Sequence, residues 1–182
     1  MILTHYFPVI DSEKRSFSKI LTSSITEYSV TEQQSIANKL SLCPGRALRR
    51  FDQFNDYILK RQQTENWLYT TFLKIGGHPL CMHPFYFVLG EYQQLKNDFG
   101  INAQSIQLDT NTISYDQISF TLGDSVGMFF SSAPNQIYLL DQLENLLSNP
   151  ELIAQQMKPL KNYHHYIEAQ LWNKDYLKEI IE

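Results

Sequence analysis

Residues 64–90, TENWLYTTFLKIGGHPLCMHPFYFVLG, contain the change of character on which the fold class turns. Trp67, Leu68, Phe72 and Leu73 recur at helical spacing, so the first part reads as an amphipathic helix starting near Thr64. Gly76-Gly77 stops it, because glycine adopts the left-handed backbone that closes a helix C-terminus. His78-Pro79 and His83-Pro84 bracket a turn-rich segment. Phe85–Leu89 is then a short apolar run closed by Gly90, the pattern of a central strand. A helix delivered through a turn to a buried strand implies a mixed fold.

Upstream of this stretch, ILTHYF at Ile2–Phe7 is β-branched and aromatic and ends at Pro8, so it reads as a strand. Asp11 or Ser12 is placed to cap a short helix bearing Phe17, Ile20 and Leu21. A weakly structured connector follows over 23–30. Thr31 with Gln34 suggests a capping box for a helix running to Leu40. Pro44 suits the first position of the next helix, with Leu48, Phe51, Phe54, Ile58 and Leu59 as its apolar stripe.

Downstream, residues 91–99 read as a helix, and Gln104–Asp109 and residues 116–121 alternate as half-buried strands do. Residues 134–147 read as helical, and a further helix runs from Pro150 to Met157. YIEAQLW at 166–172 is strand or helix, and the closing DYLKEIIE is equally open. The expectation is one domain over 1–182, α+β, with a small, mostly antiparallel sheet and a helical N-terminal half.

Composition narrows the function classes. The 182 residues carry a net charge of −4, against the basic face that generic nucleic-acid binding needs. A local basic run, Arg46, Arg49, Arg50, Lys60 and Arg61, is either the solvated face of a helix or an anion-binding patch. Eleven Tyr, eleven Phe and two Trp suggest a groove or interface, since tyrosine suits places with one wet end. Only Cys43 and Cys81 are present, which fits reduced thiols and a cytoplasmic location. Residues 1–10 lack the features of a signal peptide, and no apolar run is long enough for a membrane span.

No strong catalytic motif is present. His78, Cys81 and His83 lie close in sequence, but no second ligand pair accompanies them, with His164-His165 only a distant supplement; metal is not the expectation. Cys81 with either histidine would make a thiolate–imidazole pair only if a third group oriented the base, and a buried inert thiol is the simpler reading. Asp124-Ser125 is either a capping turn or a ligand-presenting loop. Glu168 stands in YIEAQLW among residues expected to be buried, where a carboxylate is costly unless paired or used; the alternative is an exposed helix position.

THYF (4–7), KRQQTENWLYTTFLKIGGHP (60–79), FYFVLGE (85–91), ISFTLGDS (118–125) and YIEAQLWN (166–173) together resemble a family of uncharacterised bacterial proteins of about this length. That resemblance implies no activity and leaves a binding or interaction role for a small molecule or protein as the expectation. HYF, FSKILTSSI and IEAQLW are also similar to segments of ADP-ribosyltransferase-like folds, although Ser24 stands where that pattern usually has glycine. This second resemblance implies NAD as substrate, held by His5 at its ribose or amide and by Tyr86 against nicotinamide. It assigns phosphate to Arg49 or Arg50 and makes Glu168 the catalytic carboxylate. It further implies that His5, Tyr86 and Glu168 converge in one cleft.

Overall fold

The computed structural model describes residues 1–9, 21–131, 135–158 and 166–178. Its centre is one five-stranded antiparallel sheet: β1 (Ile2–Phe7), β2 (Phe85–Leu89), β3 (Gln104–Asp109), β4 (Ile118–Thr121) and β5 (Glu168–Leu171), in the order β3-β1-β2-β5-β4. The FYFVL run is the middle strand, as its unbroken apolar character implies. The fold is α+β.

Helices cover both faces. On one, α2 (Val30–Ser41), a 3₁₀ helix over Arg46–Phe51, the start of α3 (Phe54–Lys74) and α4 (Gln93–Asp98) pack onto Tyr6 and Val88. On the other, α6 (Leu140–Leu147) and α7 (Pro150–Met157) pack onto Leu3, Phe85, Phe87, Phe120 and Leu171. Two short helices, α1 (Leu21–Ser24) and α5 (Ser125–Phe129), meet the first face at its rim. None of the helices among the described residues is long and apolar enough to cross a membrane.

Several local expectations change. The connector expected over 23–30 holds the end of α1 and a 3₁₀ turn, Ile25–Glu27. The capping box of α2 uses Ser29 and Glu32 instead of Thr31 and Gln34: Ser29 N donates to Glu32 Oε2 and Glu32 N to Ser29 Oγ. The 44–59 helix and the one starting near Thr64 are a 3₁₀ segment followed by one continuous α3. No glycine or proline interrupts that helix before Gly76, whose φ of 99° closes it. The 91–99 helix shortens to Gln93–Asp98, and the 134–147 helix to α6. The 116–121 strand shortens to β4, all of whose residues are buried, because helices lie over both faces. YIEAQLW resolves as a strand, β5, preceded by buried Tyr166 and Ile167. The helix expected from Asp11 or Ser12, and His164-His165, lie outside the described residues.

Candidate functional site

A cavity of about 300 Å³ lies between the first face of the sheet and the helices over it. Strand alternation decides which side chains reach it. Thr4, Tyr86, Val88 and Glu168 form its floor, with Tyr166 beside them. Arg50, Tyr57, Arg61 and Phe99 close it from the 3₁₀ segment, α3 and α4, and Asp124 stands at its edge before α5.

Of the residues that sequence pointed to, Tyr86, Glu168 and Arg50 surround this one space. His5 borders it but belongs to the other face: its ring stacks on Phe7 and tilts against Phe87, and its Nδ1 lies 2.7 Å from the Tyr86 carbonyl oxygen. Its neighbours Thr4 and Tyr6 point the opposite way, which the period of a strand requires. Convergence of three side chains thus reduces to two, Tyr86 and Glu168, with His5 behind them. Arg49 is exposed and outside the cavity, because adjacent positions of a 3₁₀ helix face different directions.

The roof is built on a buried ion pair. Arg61 and Glu65 are 2% and 0% exposed, one helical turn apart, with Nε 2.7 Å from Oε1. Arg61 also donates to the carbonyls of Thr22 and Ser23 and to the Tyr57 hydroxyl, and its guanidinium lies 4.9 Å from the centre of the Tyr86 ring. Glu65 accepts from the Tyr86 hydroxyl, and its other oxygen lies 2.7 Å from His83 Nδ1. Burial opposes both charges, yet each partner outweighs it: Glu65 stays below the usual carboxylate range and Arg61 above its ordinary value. Arg61, read from sequence as part of a solvated helix face or an anion-binding patch, is instead a buried clamp joining α1, α3 and β2. One face of Tyr86 is committed to it.

Glu168 has a different environment. It is 8% exposed and its carboxyl is pushed up to about 8, first by burial and then by the nearby Asp124 charge. Backbone N–H of Ser125 and the amide of Gln170 offset only part of this. The Asp124 carboxylate itself caps α5, accepting from Val126 N and Gly127 N, which settles the Asp124-Ser125 turn as a cap that also edges the cavity. Burial raises the hydroxyl pKa values of Tyr86 and Tyr166 well above ordinary, so both remain neutral hydrogen-bonding groups.

Two buried polar atoms of the lining, Thr4 Oγ1 and Arg50 Nε, have no hydrogen-bond partner. Arg50 is held in place by ring contacts, 5.3, 5.2 and 5.9 Å from the centres of Phe51, Tyr57 and Phe99. Sequence reasoning missed Thr4 as a lining residue, for which the Thr-His-Tyr alternation of β1 was the available signal. Asp124, left open as cap or ligand-presenting loop, caps α5 and lines the cavity.

The His78, Cys81, His83 group is dispersed among separate partners. His78 meets Asp116, His83 meets Glu65, and the Cys81 thiol donates to the His83 carbonyl. Burial pushes that thiol up to about 12, so it is no nucleophile at neutral pH. In comparisons with known proteins, no family model, curated relative or solved structure matches this chain.

Proposed function

We propose that the chain binds a small molecule in the Glu168 cavity and acts on it as an NAD-dependent ADP-ribosyltransferase-like enzyme, with Glu168 as the catalytic carboxylate. The observation that carries this reading is a buried, unpaired carboxyl opening into an aromatic-lined cavity that also presents a guanidinium. A volume of about 300 Å³ suits the nicotinamide–ribose half of a dinucleotide, with the diphosphate directed to Arg50. The Arg50 Nε without a partner, held by three rings, is a ready donor to a phosphate oxygen.

NAD supplies a glycosidic bond to a cationic ring. That C–N bond breaks with its electron pair leaving on neutral nicotinamide. The ADP-ribosyl carbon bonds an acceptor nucleophile, water in the assay below, which gives up its proton to solvent. Positive charge beside Glu168 favours its anion and draws its pKa down from about 8, so the carboxylate forms where charge develops. Tyr166 and Tyr86, both neutral, limit water around it. Thr4 Oγ1 offers the floor one further polar contact.

The test is thermal unfolding with millimolar NAD, alongside release of nicotinamide. A rise in Tm with NAD is expected by ligand linkage. Glu168→Gln should keep most of that rise and lose nicotinamide release by 100-fold or more, about the scale on which a single charge-stabilising group acts. Arg50→Ala should weaken NAD binding by about tenfold, the loss of one charge-assisted hydrogen bond. An unchanged Tm at millimolar NAD sinks the transferase reading.

Binding without turnover, of a small molecule or a protein segment, is the second reading. The buried Thr4 Oγ1 without a partner favours it, since a cavity floor that leaves a hydroxyl unsatisfied is completed by whatever occupies it. NAD-induced stabilisation with no nicotinamide release separates this reading from the first.

A further inference from the structure

Behind the cavity floor, on the same sheet face, runs a chain of fully buried polar side chains. Trp172 Nε1 lies 2.9 Å from Ser119 Oγ, Ser119 Oγ 2.9 Å from Gln170 Oε1, and Gln170 Nε2 3.0 Å from Thr121 Oγ1 and 3.1 Å from Glu168 Oε1. Thr121 Oγ1 ends the chain at the Gly123 carbonyl, 3.0 Å away.

The direction of every bond follows from the two ends. An indole N–H only donates, so Ser119 accepts from Trp172 and its own proton goes to Gln170 Oε1. A backbone carbonyl only accepts, so the Thr121 proton goes to Gly123 and Thr121 must accept from Gln170. The Gly123 end forces the Gln170 amide to turn its NH₂ toward Thr121 and Glu168, and the Ser119 hydroxyl, donating to Oε1, agrees with it. Ser125 N–H, 3.3 Å away, donates to the same Glu168 oxygen.

We infer that Trp172, Ser119 and Gln170 are positioning residues that reserve Glu168 Oε1 as an acceptor and assign the titrating proton to Oε2. An oxygen that already receives two N–H bonds is the less basic of the pair. Below its midpoint the carboxyl therefore offers one O–H donor, on Oε2, and above it the same atom bears the exposed lone pairs. This deepens the proposed function, on whose reading of Glu168 as the reacting group it rests, by naming the reacting atom and the machinery that orients it.

Other titratable and charged groups face Glu168 from each neighbouring element. Asp124 raises its pKa from the α5 edge. Tyr86 of β2 and Tyr166 ahead of β5 are kept neutral by burial. Arg50 and Arg61 line the cavity from the roof, Arg61 already bound to Glu65. Tyr6 of β1 accepts from Tyr92 N. None of these residues is substituted in the variants used below.

The experiment is a ¹³C NMR titration of glutamate side-chain carboxyls in the full protein without ligand, the Glu168 signal identified by its loss in Glu168→Gln. Gln170→Leu should move the Glu168 midpoint up by about one pH unit, the size of one lost hydrogen bond to a charged group. Trp172→Phe combined with Thr121→Val, which lifts the constraint at both ends and leaves the amide free to reverse and turn its Oε1 to the carboxyl, should move it up by a smaller amount. A folded Gln170→Leu protein with an unmoved midpoint overturns the inference. If that variant does not fold, an unmoved or lowered midpoint in the Trp172→Phe, Thr121→Val double variant overturns it. Shifted midpoints in a protein that NAD fails to stabilise would uphold the inference and remove the NAD reading alone.

Discussion

Glu65 on α3 and Glu168 on β5 are both buried, and the protein treats them in opposite ways. Glu65 lies against a guanidinium and a histidine, and its pKa falls. Glu168 has a second carboxylate nearby and two N–H donors on one oxygen, and its pKa rises to about 8. Burial alone raises both; the difference is the partner. A buried acid with its cation built in holds α1, α3 and β2 together. A buried acid without one stands with a raised pKa at the edge of a cavity, so one glutamate belongs to the framework and the other is the acid on which the proposed function rests.

The most severe way to break that contrast is to take the cation from Glu65. Arg61→Met should cost about 3–5 kcal/mol in urea unfolding, because it leaves a buried carboxylate unpaired and frees the carbonyls of Thr22 and Ser23. It should also raise the Glu65 pKa, making it resemble Glu168. A loss below about 1 kcal/mol would show that water reaches this pair.

Removing the unpaired acid should do the reverse. The Glu168 pKa is raised on folding from 4.5 to about 8, so its stabilising contribution is complete below 4.5 and is lost as pH rises through 8. Glu168→Gln removes that loss. Its Tm relative to wild type should climb by about ten degrees between pH 5 and pH 8, or roughly 3–4 kcal/mol at this chain length. A flat difference across that range would mean that Glu168 ionises on folding as an exposed glutamate does.

The smallest effect belongs to a pair that shares the Arg–carboxylate chemistry but not the burial. Arg46 meets Asp98 through two bonds, with the arginine 60% exposed. Arg46→Ala should cost about 1 kcal/mol or less and should shrink further in salt. Equal costs for Arg46 and Arg61 would remove burial as the distinguishing cause.

How much of this was legible in the residues differs between elements. The strands Ile2–Phe7, Phe85–Leu89 and Gln104–Asp109 follow from their own patterns and punctuation. Glu168 stands out in YIEAQLW because a carboxylate among apolar neighbours is costly wherever they are buried. The continuity of α3 through residue 64 was missed because the helix was started near Thr64; Glu65 pairs with Arg61 a turn earlier, within the same helix. His5 could be read as chemically able, but the face it occupies depends on which neighbours cover each side of β1.

Local sequence determined strands β1, β2 and β3, the mixed α+β class and Glu168 as a conspicuous acid, because propensity, period and glycine stops act within a few residues. Tertiary structure alone decided which acid has a cation, which side of the sheet holds the cavity, and that Trp172, Ser119 and Gln170 align behind Glu168. Those outcomes rest on contacts between segments 38 to 53 residues apart, such as Arg61 with Ser23 and Trp172 with Ser119. Charge, burial and hydrogen-bond direction act through space, and only the assembled sheet and helices define that space.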